Sequence, residues 1–270
     1  MAFLEIDSQT KLYYEDEGEG QPVIFIHGVM MSSRFFHYQI PYFKERYRTI
    51  NFDLRGHGRS SKVEHGHTVA QYARDVKQLI EKLKLENVIL VGWSMGAFVV
   101  WDYVNQFGTE NIKGMTVVDQ SPSDYLWDGW DYGAFNFDAI KGVMQAIQEN
   151  QLGFNSEFIF GMFKDKPDPD VHEWILEEMM KVPASIASTI VFNQTAVDYR
   201  ETLSNVDVPA LICFGRDDKF FPVAAGEYIQ ERIPGSKLVP FEKSSHCLFL
   251  EEPEKFNQVL AGFFESLKEG

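Results

Sequence analysis

From Asn87 to Tyr103 the chain reads NVILVGWSMGAFVVWDY, an apolar run with one hydroxyl in its middle. A run with no polar face has no side to show to water, so it belongs where both faces are covered, as in a mostly parallel sheet. The glycines at 92 and 96 would loosen any element that holds them, and a buried hydroxyl is a liability. The spacing Gly92-Trp93-Ser94-Met95-Gly96 fits a sharp strand-to-helix turn. There the glycines let the backbone pack closely and the serine oxygen is lifted into a cleft. Read locally, Ser94 is either an ordinary helix N-cap or a nucleophile.

The rest of the chain supplies the sheet. FLEID and KLYYEDE alternate apolar and polar residues and predict a hairpin of half-buried strands. PVIFIHG, RTINFDLRGHG, NVILVGW and IKGMTVVDQ are apolar, β-branched runs, joined much later by PALICFGRDD and SKLVPFE. Helical periodicity lies between them. In TVAQYARDVKQLIEKLKL, positions Val69, Tyr72, Ala73, Val76, Leu79, Ile80 and Leu83 form one stripe, with Thr68 placed to cap it. PVAAGEYIQERI and PEKFNQVLAGFFESLKE read as helices that each carry a proline in the first turn. Alternating strands and helices give an α/β class with a doubly wound, mostly parallel sheet of about eight strands.

From Ser121 to Asn205 the rhythm breaks: strand signals fade and the segment is helical and aromatic-rich. It starts past the sixth strand, at the sheet end where open α/β folds bind ligands. The expected division is a core of residues 1–120 and 206–270 with a helical cap over 121–205.

Acidic residues number 40 against 25 basic ones, a formal charge of −15, which repels nucleic acid and anionic membrane surfaces. The opening segment lacks the basic and apolar parts of a secretion signal, and no later run is long enough to span a bilayer. A soluble, cytoplasmic protein is expected. Cys213 and Cys247 make no disulfide framework and have no zinc-site neighbours, so buried free thiols are expected.

Five stretches share one order and each falls at a predicted strand end: HGVMMSSRFFHYQIPYF, DLRGHGRSS, VGWSMGAFVV, DYRETLSNVDVPALICFGRDDKFFP and SSHCLFLEEPEKFN. Together they resemble the α/β-hydrolase fold over nearly the whole chain. The likeness is strongest to bacterial esterases related to cofactor-free haloperoxidases and perhydrolases. The resemblance implies a helical cap after strand 6, no cofactor, no metal, and catalysis by a serine, a histidine and an acid, in the chain order serine, acid, histidine.

On that implication Ser94 is the nucleophile, since a hydroxyl needs a neighbouring base to be reactive at neutral pH. His246, in the loop before the last helix, is the base, while His27 braces the loop at Gly28. His65 and His67 read as a solvated loop. The family's spacing of acid to glycine and proline selects Asp218 over Asp217, with Asp119 at the end of MTVVD a further candidate. The acid holds the imidazole in one tautomer and stabilises the imidazolium. The backbone N–H groups of Val29 and Met95 are the implied oxyanion donors. Arg55 reads as a brace between loops, with Asp53 as its neighbour.

Met30, Met31, Trp127, Trp130, Phe160 and Met162 are candidates for an apolar substrate pocket or for plain core. No basic cluster marks an anionic substrate. The expectation is a small to medium neutral ester or lactone, with a lactonase, C–C bond hydrolase or perhydrolase as alternatives on the same three residues. A small-molecule sensor that retains the fold is the non-enzymatic alternative. Serine at position 94 argues against the dehalogenase and epoxide hydrolase branches, which attack through a carboxylate. Many perhydrolases carry a proline where this chain has Met30, which lowers perhydrolysis in rank.

Overall fold

The computed structural model describes residues 2–268; residues 1, 269 and 270, which the division above gives to the core, lie outside the described residues. Eight strands form one sheet: β1 (Ala2–Glu5), β2 (Lys11–Glu17), β3 (Pro22–Ile26), β4 (Arg48–Phe52), β5 (Val88–Trp93), β6 (Ile112–Val118), β7 (Ala210–Gly215) and β8 (Lys237–Phe241). Their order across the sheet is β1-β2-β4-β3-β5-β6-β7-β8. The first two strands pair antiparallel, β2 joins β4 antiparallel, and every other pairing is parallel. Strand β5 runs between β3 and β6 with all its residues buried. Its lack of any polar side chain is therefore a consequence of two covered faces.

Between and after the strands lie α1 (Gln39–Phe43), α2 (Val69–Lys82), α3 (Met95–Phe107), α4 (Phe137–Met162), α5 (Pro169–Met179), α6 (Ala184–Ala196), α7 (Val223–Arg232), α8 (Leu248–Glu251) and α9 (Pro253–Ser266). No helix among the described residues is long and apolar enough to cross a membrane. In α2 the expected stripe is buried from Val69 to Ile80, and the Thr68 side chain accepts the Gln71 N–H at 3.2 Å. Pro253 opens α9 in its first turn, as expected. Pro222 differs: it stands just outside α7 in an extended conformation and acts as the cap residue. A proline has no N–H to offer the helix, so either place suits it.

Helices α4, α5 and α6 lie between β6 and β7, where the sequence loses its strand signals. Helix α4 is broken at Asn150 (φ −154°, ψ 73°), whose Oδ1 accepts the Gly153 N–H. Several contacts tie this insert to the rest of the molecule. Ser32 Oγ donates to Glu178 Oε2 at 2.8 Å, with Arg34 and Lys181 paired to the same carboxylate. Burial alone would raise the Glu178 carboxyl, but hydrogen bonds from Lys181, Ser32 and Arg34 hold it low. Asn193 of α6 accepts the Val69 N–H, and the Cys247 N–H donates to the Met162 carbonyl.

Two expectations outside the site change. Arg55 does brace two elements, but its partner is Asp75 on α2, with Nε–Oδ2 2.7 Å and Nη2–Oδ1 2.8 Å. Asp53 instead accepts the backbone N–H groups of Ser33 and Arg59. The guanidinium and its carboxylate are both buried, and a forked pair satisfies both at once. His67 is buried too, its Nε2 against the Val63 carbonyl at 2.6 Å, while His65 is exposed. Cys213 and Cys247 are free and buried.

Candidate active site

At the end of β5 the chain turns on Ser94, whose φ of 53° and ψ of −125° lie outside the usual regions for a residue with a side chain. Helix α3 starts at the next residue, and the Ser94 side chain makes no capping hydrogen bond. A cap would place its oxygen on the N–H two or three residues on. The N-cap alternative therefore loses its one structural signature. The flanking glycines are required by close approach. A Cβ on Gly96 would lie 2.1 Å from the Ile26 carbonyl oxygen, and one on Gly92 would lie 2.4 Å from the Gly96 oxygen.

His246 sits in the loop between β8 and α8. Three rings hold its imidazole: Phe220 edge-on at 5.1 Å, Trp93 at 5.6 Å and Phe221 at 6.0 Å. The Trp93 Nε1–H also donates to the His246 carbonyl at 3.0 Å. The residue preceding Ser94 thus anchors the backbone of His246. Sequence alone gives no sign of that bond, because it spans 153 positions.

Asp218 lies beyond the end of β7 with its side chain buried, Oδ2 3.4 Å from His246 Nδ1. That is long for a hydrogen bond, a contact of the kind that often tightens when substrate binds. The Phe220 and Phe221 N–H groups each donate to the Asp218 carboxylate at 3.1 Å. Burial pushes this carboxyl up, but neighbouring His246 and the Phe220 amide outweigh it, so the group stays below its ordinary value. Asp217 is paired on the surface with Lys164 at 2.7 Å.

Asp119 is the further acid, and the structure brings it to the same place. One oxygen each of Asp119 and Asp218 and one nitrogen of His246 lie within 4.8 Å of one another, the single such metal-competent group among the described residues. Asp119 Oδ2 accepts the Gly215 N–H at 2.9 Å, and Oδ1 has no partner. Burial drives its carboxyl well above the carboxylate range, and the charge of Asp218 drives it further. A carboxyl pushed up in this way is a fitting neighbour for Asp218, whose carboxyl is held low. Asp119→Asn keeps a neutral group at the site, so ester turnover should fall less than about tenfold, the scale of one hydrogen bond. Asp218→Asn should lower kcat by about 10⁴-fold, because the imidazole loses its tautomer. Steady-state kinetics of the two variants decide which carboxyl serves His246.

The loop after β3 carries Val29 and Met30. His27 fixes it: its Nε2 accepts the Leu54 N–H at 3.0 Å and Nδ1 lies 2.8 Å from the Gly28 carbonyl, which sets a neutral tautomer in a fully buried ring. Met30 takes φ 60°. Among the described residues, the N–H groups of Val29 and Met95 have no protein acceptor, the condition needed to receive an oxyanion.

Ser94 and His246 line one cavity of about 210 Å³. Its walls are Val29 and Met30 on one side, Ala134, Phe135, Val143, Phe154, Phe158 and Val191 from the insert, and Phe220 and Phe221. Of the pocket side chains expected from sequence, only Met30 is there. Trp127 is 40 % exposed and donates to Ser123 Oγ. Trp130 packs against Tyr132 and Tyr228, and Phe160 stacks on His172. Met31 and Met162 are core. Which face of an inserted helix meets the site depends on how the insert docks, and Phe154 and Phe158 sit where Phe160 was expected.

Three polar side chains complete the lining: Gln120, Asp124 and Gln194. Asp124 accepts Gln120 Nε2 at 2.6 Å and Gln194 Nε2 at 2.9 Å. Burial pushes its carboxyl up to about 7, the two amide hydrogen bonds only partly opposing it.

Comparison with known proteins agrees with this architecture. A family model described as the alpha/beta hydrolase fold matches residues 21–253. The AB hydrolase superfamily protein YisY of Bacillus subtilis is 31 % identical over 98 % of this chain and 99 % of its own length. Among solved structures, a bromoperoxidase from Bacillus anthracis superposes with TM-score 0.94 at 30 % identity, covering 98 % of this chain and 99 % of its own. An esterase from Exiguobacterium antarcticum gives TM-score 0.93 at 29 % identity, covering 97 % and 98 %. On the sheet order, the turn at Ser94 and a match across most of its length, the chain belongs to the α/β-hydrolase fold family.

Proposed function

We propose that this chain is a serine hydrolase that cleaves a small, neutral carboxylic ester through an acyl-enzyme. The observation that carries the reading is Ser94, on a strained turn, sharing a small apolar cavity with His246, itself 3.4 Å from the Asp218 carboxylate. The esterase among its structural neighbours supports it.

With Nδ1–H of His246 turned to Asp218, Nε2 is the nitrogen left to act as base. Ser94 Oγ adds to the ester carbonyl carbon as its proton passes to Nε2. The carbonyl oxygen gains a negative charge, which the Val29 and Met95 N–H groups receive; one such donor is worth about 3–4 kcal/mol in the transition state. When the carbonyl re-forms, the C–O bond to the alcohol breaks and the imidazolium gives its proton to the departing oxygen. Water then adds to the acyl-enzyme by the same route, releasing the acid and restoring Ser94. Asp218 stays ionised throughout and stabilises the imidazolium. The segment 121–205 serves as the cap, its α4 and α6 side chains closing the acyl pocket from above.

Met30 supports ester hydrolysis over perhydrolysis. At φ 60° it holds a conformation closed to proline, whose ring fixes φ near −65°. The loop thus differs from the proline-bearing form associated with perhydrolases.

A cavity of about 210 Å³ is below the usual range for drug-sized ligands. p-Nitrophenyl acetate and butyrate should accordingly be turned over at least about tenfold faster, in kcat/KM, than the decanoate, since poor fit costs kcal/mol-scale discrimination. A fluorophosphonate should label one serine. Failure of every ester in the series, or no labelling, overturns the reading.

A further inference from the structure

The cavity that holds Ser94 is apolar except for one corner. There, Gln120 and Asp124 are fully buried and Gln194 is 6 % exposed. Each amide group donates an N–H to Asp124, and Gln120 also donates to the Ser121 carbonyl. Their own oxygens, Gln120 Oε1 and Gln194 Oε1, are buried without a partner. No ion pair reaches Asp124 among the described residues, and its raised carboxyl reflects burial unopposed by any cation. Buried acceptors left unpaired each cost on the order of 1–3 kcal/mol, a cost that a donor entering the cavity would offset. None of the three belongs to the hydrolytic machinery described above. Gln120 follows β6, Asp124 stands at the start of the insert and Gln194 reaches in from α6, so sheet and insert meet at this corner.

We propose that this corner is a substrate-recognition subsite for a neutral hydrogen-bond donor, a hydroxyl or amide N–H, carried by the ester chain held in the cavity. The inference rests on the hydrolase reading and names its substrate class. The site is dominated by acceptors: two amide oxygens without partners and the remaining lone pairs of the Asp124 carboxyl, against one Gln194 N–H not spent on Asp124. A hydrocarbon chain would leave all of them unpaired, whereas one hydroxyl or N–H satisfies at least one. A neutral donor suits the place better than an ammonium, because burying a cation among phenylalanine and valine side chains costs more than one carboxyl repays. Sites of this kind reject the analogue lacking the polar group far more strongly than apolar pockets reject an extra methyl.

The test compares methyl 3-hydroxy- and 4-hydroxypentanoate with their isosteres methyl 3-methyl- and 4-methylpentanoate, followed by pH-stat, with methyl 4-aminopentanoate as the cationic arm. In the wild-type protein a hydroxy ester should exceed its methyl isostere at least about tenfold in kcat/KM at one of the two positions. In Gln194→Leu and in the near-isosteric Asp124→Asn, both checked for folding by thermal melts, that ratio should shrink toward unity. Isosteres within threefold at both positions overturn the inference, as does a ratio unchanged in both variants. So does a preference for the amino ester over both hydroxy esters, which would make the occupant a cation. Methyl-branched esters hydrolysed with Ser94 labelled, but without preference, sink this inference alone. No ester hydrolysed and no label on Ser94 sinks the hydrolase reading and this inference with it.

Discussion

Ser94→Ala should lose fluorophosphonate labelling outright and lose ester turnover by roughly 10⁴- to 10⁶-fold, while its thermal melt stays close to that of the parent. The expected size follows from chemistry that alanine cannot supply: without Oγ no acyl-enzyme forms, and only the amide donors and the binding cavity remain. His246→Ala should cost a similar factor, because the hydroxyl is inert without a base to take its proton. The double variant should then be scarcely slower than either single one, since each already disables the same unit. Burst kinetics with p-nitrophenyl acetate and mass spectrometry of the labelled serine check both halves. A Ser94→Ala protein that retains more than about one per cent of the rate would be incompatible with the mechanism. The near-unchanged stability follows from the 7 % exposure of Ser94, its uncapped side chain and its strained φ: no fold-holding contact is lost.

Gly96→Ala is expected to be among the most damaging one-carbon additions at the described residues. Its new methyl would lie 2.1 Å from the Ile26 carbonyl oxygen, 2.8 Å from the attached carbon and 3.1 Å from the His27 oxygen. All three are backbone atoms of the neighbouring strand and its loop, so no rotamer change relieves the clash. Overpacked cores lose about 1–3 kcal/mol when side chains can give way, and here they cannot. A loss above about 3 kcal/mol corresponds to a melting point lowered by about 10 °C. The strand that would have to move also leads into Val29, so any folded protein should show kcat reduced along with stability. Calorimetry and ester kinetics on the same preparation measure both. Gly262→Ala, with nothing within 4 Å of its new methyl, is the control that should do neither.

The contrast between those two glycines shows what a sequence discloses. The turn at Ser94 is legible because its requirements are local: two glycines at fixed spacing, an apolar strand before, a helix after. The alternation of strands and helices is legible for the same reason, and so is the cap of α2 at Thr68. Long-range choices are not. Arg55 stands two residues from Asp53 and twenty from Asp75, yet pairs with the latter, because α2 brings that carboxylate to the guanidinium. Trp127, Trp130 and Phe160 have the character of pocket residues, but it is Phe154 and Phe158, beyond the break of α4 at Asn150, that line the cavity with Ser94. The polar corner at Gln120, Asp124 and Gln194 is silent in the sequence, since a glutamine reveals nothing of what its oxygen lacks. Asp119 sits between these extremes. Its position after β6 is readable, whereas the upward push on its carboxyl comes from burial first and then from a second carboxylate arriving after β7.

The indole of Trp93 gives the molecule a property beyond packing. On the proposed mechanism nucleophile and base come from distant parts of the chain, and misplacing one against the other by about 1 Å would cost roughly 10²-fold in rate. The bond from Trp93 to the His246 carbonyl ties the turn at Ser94 directly to the loop of His246. The same loop is tied to the insert, since the Cys247 N–H donates to the Met162 carbonyl at the end of α4. On the proposed mechanism, a shift of α4 would therefore reach the imidazole, and the indole is what holds that loop to the sheet against it.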